Sequence, residues 1–165
     1  MVVEKTAASI YISIASQTLQ LKCDQQLDFE CAISSAKKGV GEVNGSERTP
    51  RGWHYIRAKI GNGQAVNSVF VGRRPTGEIY VPGLRREHPQ RDWILTRILW
   101  LCGLEPGFNR MGPVDTMRRY IYIHGCPDED SFANPGSHGC IKLHNPDMLT
   151  LFERVAAGTR VLITE

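Results

Sequence analysis

Short apolar stretches that alternate with period two, each closed within a few residues by Gly, Pro, Asn or Asp, recur along the whole chain. A side-chain period of two belongs to half-buried strands, so this pattern restricts the chain to a mainly β fold. Ile10, Ile12 and Ile14 alternate with Tyr11 and Ser13, and residues 18–23 (TLQLKC) follow after Ala15-Ser16-Gln17, which reads as a hairpin. Residues 27–34 (LDFECAIS) continue the meander with Leu27, Phe29 and Cys31 on one face. Residues 53–60 alternate again after the turn residues Pro50 and Gly52. Residues 68–72 and 78–81 read as short strands around a turn at Pro75-Thr76-Gly77, and 119–124 and 159–163 as the last strands. One helix is expected, with Asn145 as its cap, Pro146 at the first helical position and Asp147 in the first turn. Its apolar face is Leu149, Leu151, Phe152 and Val155, and it stops near Gly158. The apolar positions of residues 94–102 fit a helix as well as a buried strand.

The 165 residues make one domain, 1–165, of ordinary size, with no repeat or linker. The formal net charge is only +3, and the Arg pairs at 73–74, 85–86 and 118–119 are scattered, so no polybasic tract points to nucleic acid. No run of 18 apolar residues exists to form a membrane-spanning helix. Five cysteines is an odd number without the spacing of a disulfide framework, which leaves at least one free thiol and favours a reducing compartment. Ala7 to Ala15 behind Lys5 has the length of a signal-peptide core, yet its alternation suits a strand. The expectation is a cytoplasmic protein; the alternative is a periplasmic one whose leader has been removed.

Chemistry concentrates in two segments. Tyr120-Ile121-Tyr122-Ile123-His124-Gly125 is an apolar strand that delivers a histidine. Twelve residues later, after a stretch rich in Asp, Asn, Pro and Gly, comes Ser137-His138-Gly139-Cys140-Ile141-Lys142-Leu143. A cysteine nucleophile needs a base nearby and amide donors for an oxyanion, and these segments can supply both. Gly139 permits a tight approach that can aim the amides of Gly139 and Cys140 at the oxyanion. His124, Cys126, His138, Cys140 and His144 also have the ligand types of a zinc site. Their His-x-Cys spacing is not that of a zinc knuckle, however, and a cysteine committed to metal cannot attack a substrate. No metal or other cofactor is expected. Cys126 is read as a small wall residue, and His54 and His88 as ordinary core or surface residues.

The spacing of His124 from Ser-His-Gly-Cys resembles the YkuD-type L,D-transpeptidase catalytic domain. Thr49-Pro50-Arg51-Gly52 matches a Thr-Pro-x-Gly turn found beside the active site in that family. The resemblance covers the chain, most strongly from residue 119 onward. It implies a single β-sandwich or barrel-like domain with a short C-terminal helix and an active-site loop, and it favours a strand for 94–102. It also implies that Cys140 is the nucleophile and His124 its base. Gly139 and His138 complete the catalytic set, His138 as a lining or architectural residue rather than the base. Ser137, Lys142, Thr49 and Arg51 are implied to support or bind substrate. Many members carry Arg where this chain has Lys142; Lys keeps the charge and loses the bidentate fork for a carboxylate. The implied substrates are peptidoglycan stem peptides, cut after the third residue. The expected activity is an L,D-carboxypeptidase that trims recycled tetrapeptides, with an exported cross-linking or D-amino-acid-exchanging transpeptidase as the alternative. A muropeptide-binding module without catalysis is a third reading. The sequence does not fix an oligomeric state.

Overall fold

A computed structural model describes residues 7–165; Lys5, part of the signal-peptide reading, lies outside them. Among these residues ten strands join in one sheet. β1 (Ala8–Ser13), β2 (Thr18–Cys23) and β3 (Gln26–Ala32) form the expected antiparallel meander. Leu27, expected on one face with Phe29 and Cys31, is exposed, because a bulge at Leu21/Lys22 shifts the register of this edge pair. β10 (Arg160–Thr164) lies inside the sheet, parallel to β1 and antiparallel to β4 (Gly52–Ile60).

The ambiguous apolar run is β7 (Ile94–Gly103), a buried strand. β4 lies on one edge of it and β8 (Tyr122–Gly125) on the other, and seven of its ten residues are buried. That position explains a near-continuous hydrophobic run in place of alternation. β9 (Ile141–Leu143) runs parallel to β8, pairing Ile123 with Ile141 and His124 with Lys142. The sheet thus branches at β7, and the main core lies between the β1-β2-β10-β4 limb and β8-β9. α2 (Asn145–Arg154) closes it with Met148, Leu151 and Phe152.

Two local expectations change, and one short helix is new. β5 (Ser68–Val71) and β6 (Arg74–Ile79) turn at Gly72-Arg73, both at positive φ (55° and 65°), and Pro75-Thr76-Gly77 lies inside β6. β6 is an exposed edge strand, where proline's missing N–H costs no ladder bond. A short helix, α1 (Pro82–Glu87), begins on Pro82, a residue that suits the first helical turn. Asn145 is not a cap: His144 holds that position, and the buried Asn145 side chain bonds elsewhere. Its Oδ1 accepts from Thr96 Oγ1 at 2.6 Å, and its Nδ2 donates to Asn67 Oδ1 (2.9 Å) and the Cys126 carbonyl (3.0 Å).

Candidate active site

β8 begins at Tyr122 because Tyr120 turns the chain at φ 56°, its amide bonded to the Met117 carbonyl. β8 then carries His124 into the core, where it is 1% exposed. Gly125 follows because a Cβ there would lie 2.3 Å from Asn145 Oδ1 and 2.7 Å from the Leu95 carbonyl. The Asn145 cluster therefore packs directly behind the histidine.

The loop leading to Cys140 is clamped by residues distant in sequence. Ser34 exchanges backbone bonds with Lys142 (3.0 and 2.9 Å), and Ser137 N–H donates to the Ser35 carbonyl at 3.0 Å. Ser137 Oγ donates to the Cys140 carbonyl and accepts from the Gly139 amide at 3.2 Å. Buried Thr49 accepts from the Ala36 amide and donates to the Gly139 carbonyl, both at 3.0 Å. Gly139 sits at φ 131°, and a Cβ on it would meet Ile121 Cδ1 at 3.0 Å. Its amide, expected to face an oxyanion, is taken by Ser137; the Cys140 amide has no hydrogen bond among the described residues.

Cys140 Sγ accepts from the Tyr122 amide (3.3 Å) and lies 3.5 Å from the Tyr120 carbonyl, to which its S–H can donate. Burial pushes this thiol up to about 12, against the Tyr122 amide, which favours the thiolate. It rests protonated. His124 Nδ1 lies 2.6 Å from the Gly125 carbonyl. A carbonyl only accepts, so Nδ1 carries the proton and Nε2 keeps its lone pair. Burial lowers the pKa of this imidazole, with Asp92 and the Gly125 carbonyl opposing, so it is neutral near pH 7. This thiol and the His124 imidazole line one cleft of about 450 Å³ with Ser137 and exposed His138. No hydrogen bond joins Sγ to the imidazole in this resting arrangement; such bonds often tighten only when substrate is bound.

The other site residues named from sequence lie elsewhere. Arg51 forks onto Glu42 (2.8 and 3.3 Å) and reaches Glu165. Lys142 is held by Asp130 at 3.1 Å, which also receives Arg85 at 2.7 Å. The cations lining the cleft are instead Arg73 and Arg119. Arg119 is filled by the carbonyls of Gly41, Glu42 and Arg48 and by Ser46 Oγ. Cys126 is fully buried, its S–H toward the Leu143 carbonyl at 3.4 Å. Among the described residues no three of His, Cys, Asp and Glu converge on a point that could hold a metal.

Residues 7–163 match the family model described as the YkuD L,D-transpeptidase catalytic domain. A probable L,D-transpeptidase ErfK/SrfK of Escherichia coli is 30% identical over 134 residues, 77% of this chain and 36% of that protein. Its Salmonella typhimurium namesake is 29% identical over 136 residues, again 77% of this chain and 36% of that protein. This chain thus spans about a third of these relatives' length. Among solved structures, the L,D-transpeptidase of Enterococcus faecium superposes with TM-score 0.57 at 18% identity, covering 96% of this chain and 50% of that one. L,D-transpeptidase 3 of Mycobacterium tuberculosis, bound to a faropenem-derived adduct, gives 0.58 at 16% identity, covering 97% and 61%. Those two likenesses establish the fold, while the family model, matching nearly every described residue, establishes descent: this chain belongs to the YkuD L,D-transpeptidase catalytic domain family.

Proposed function

We propose that this domain is a cysteine acyltransferase of peptidoglycan stem peptides whose usual acceptor is water, an L,D-carboxypeptidase. The observation that carries the reading is that the Cys140 thiol and the His124 imidazole line one cleft, with Nδ1 held on the Gly125 carbonyl so that Nε2 is the nitrogen left to take a proton. Sγ attacks the carbonyl carbon of the third stem residue while Nε2 takes the thiol proton. The C–N bond to the fourth residue then breaks, the amine leaves with that proton, and a thioester remains on Cys140. His124 is neutral again and can deprotonate water, which releases the tripeptide and restores the thiol. Hydrolysis needs no residue beyond these. All five cysteines are unpaired, which fits action on soluble muropeptides in the reducing cytoplasm. The second reading, transfer to an amine of another stem, is favoured by the relatives' name of L,D-transpeptidase.

Mass analysis after incubation with a disaccharide-tetrapeptide tests this. Disaccharide-tripeptide and free D-Ala, with little dimer, are expected. Dominant cross-linked dimer without added amine sinks the hydrolytic reading in favour of the transpeptidase, and the absence of both products sinks acyl transfer on stem peptides.

A further inference from the structure

Lys142, the cation that sequence placed at the substrate, has its charge paired with Asp130, and the four acceptors around Arg119 leave it bound within the fold. Arg73 is different. It occupies the tip of the β5–β6 hairpin at φ 65°, a left-handed conformation that Gly or Asn adopts more readily. Its guanidinium lies 4.9 Å from the Trp100 ring centroid and 4.6 Å from that of Tyr120. Nη1 donates to the Tyr122 hydroxyl at 3.0 Å. No carboxylate pairs with it among the described residues. Two aromatic rings and a phenol therefore fix the plane of a guanidinium that lines the cleft and whose other N–H groups have no hydrogen-bond partner among the described residues. Tyr120 and Tyr122, which frame this guanidinium with their side chains, also contact the Cys140 sulfur through their backbones. The cation and the nucleophile are thus held by the same two residues.

We propose that Arg73 is the specificity-determining residue that binds a carboxylate of the acyl substrate beside Cys140. Planar guanidinium and planar carboxylate pair through two parallel N–H···O bonds, which sets orientation as well as attraction. The identity of the substrate rests on the function proposed above; the anion site does not. A tetrapeptide stem offers two sources, the terminal carboxylate of the fourth residue and a side-chain carboxylate of a diaminopimelate third residue.

Alkylation of Cys140 by iodoacetate and by iodoacetamide, followed by mass on the Cys140 peptide, tests the site without any stem peptide. The reagents share a leaving group and differ in charge. Arg73→Gln should lower the iodoacetate-to-iodoacetamide rate ratio roughly 10-fold, the order of one charge-assisted bond, while the iodoacetamide rate stays within about 2-fold. Arg73→Lys should fall between, and the wild-type ratio should shrink as salt rises. Lys142→Gln should leave the ratio unchanged. A second arm measures KM for the tetrapeptide, its C-terminal amide and its diaminopimelate side-chain amide. Arg73→Gln should raise KM about 10-fold for substrates retaining the contacted carboxylate and have no effect on the analogue lacking it, which names the source. Equal alkylation ratios in wild type and Arg73→Gln overturn the proposal, as does a KM increase equal for all three peptides. A lowered ratio without turnover of any stem peptide would leave the anion site standing and remove the function proposed above.

Discussion

The Thr49 hydroxyl donates to the Gly139 carbonyl at 3.0 Å, tying the Thr-Pro-Arg-Gly turn to the residue before Cys140 across 90 positions of sequence. The same oxygen accepts the Ala36 amide, so one buried hydroxyl satisfies two loop backbones. Thr49→Val removes it while keeping the shape and leaves a buried N–H and C=O unpaired, at about 1–3 kcal/mol each. Thr49→Val should therefore be less stable by at least about 1 kcal/mol in urea unfolding and acylate roughly 10-fold more slowly as Cys140 loses its placement. Thr49→Ser should restore most of both. A Thr49→Val protein with wild-type stability and rate would show that the contact positions nothing.

The two His-Gly-Cys triplets call for opposite outcomes. Cys140 lines the cleft; Cys126 is fully buried and burial pushes its thiol up to about 12, so it stays protonated and out of reach. Cys140→Ala should abolish turnover with the fold retained by circular dichroism. Cys126→Ala should keep most activity and lose about 1–3 kcal/mol of stability, as a small buried side chain is removed. An inactive Cys126→Ala with intact fold would reverse the assignment of the two motifs.

Local contacts were legible in the sequence, and long-range partners were not. The strand period exposed most of the sheet, and Ser137 to Cys140 announced themselves because their contacts are mutual and within four residues. Thr49 was visible as part of a turn, though its target lay 90 residues away. Lys142 looked free because its partner, Asp130, reaches it only through the fold of the intervening loop. Asn145 satisfied every rule for a cap, but Thr96 and Asn67, 49 and 78 residues upstream, claim its side chain. Arg73 was hidden by turn chemistry. Pro75-Thr76-Gly77 is the stronger local turn signal, yet the hairpin reverses at Gly72-Arg73, and only that shift brings the guanidinium to the cleft.

His54 carries a pH dependence of stability separate from catalysis. It is fully buried, with Nδ1 2.9 Å from the Gly52 carbonyl and Nε2 3.0 Å from Thr116 Oγ1. Burial pushes its pKa down to about 4 from an ordinary value of 6.5. The unfolded chain therefore binds more protons than the folded one between about pH 4 and 6.5, so stability rises with pH across that window. It is complete above pH 6.5 and falls as acid takes the solution toward pH 4, by an amount on the order of 3 kcal/mol. Urea unfolding at pH 7.5 and 4.5 should show the loss. His54→Gln, which cannot titrate, should start less stable and lose less between the same two values. An equal loss in both proteins would assign the acid sensitivity to other groups.

The pH profile of acylation follows from the resting states of His124 and Cys140. The reactive form has a neutral imidazole, and burial keeps His124 neutral below the usual histidine range. Its sign is that of a base with a lowered pKa: activity is full above that pKa and is lost only as pH falls through it. The rate of acyl-enzyme formation should therefore hold at pH 6.5, where an ordinary histidine is half protonated, and decline only at lower pH. The thiol, pushed up to about 12, adds no rise near its ordinary value, so the profile should be flat from about pH 7 to 9. His124→Ala should lower the rate by roughly 10²- to 10⁴-fold and abolish the acid limb, because the titrating group is gone. His138→Ala should keep that limb, since His138 lines the cleft without a contact to the sulfur. An acid limb centred at or above pH 6.5, or one that survives in His124→Ala, would mean that another group takes the thiol proton.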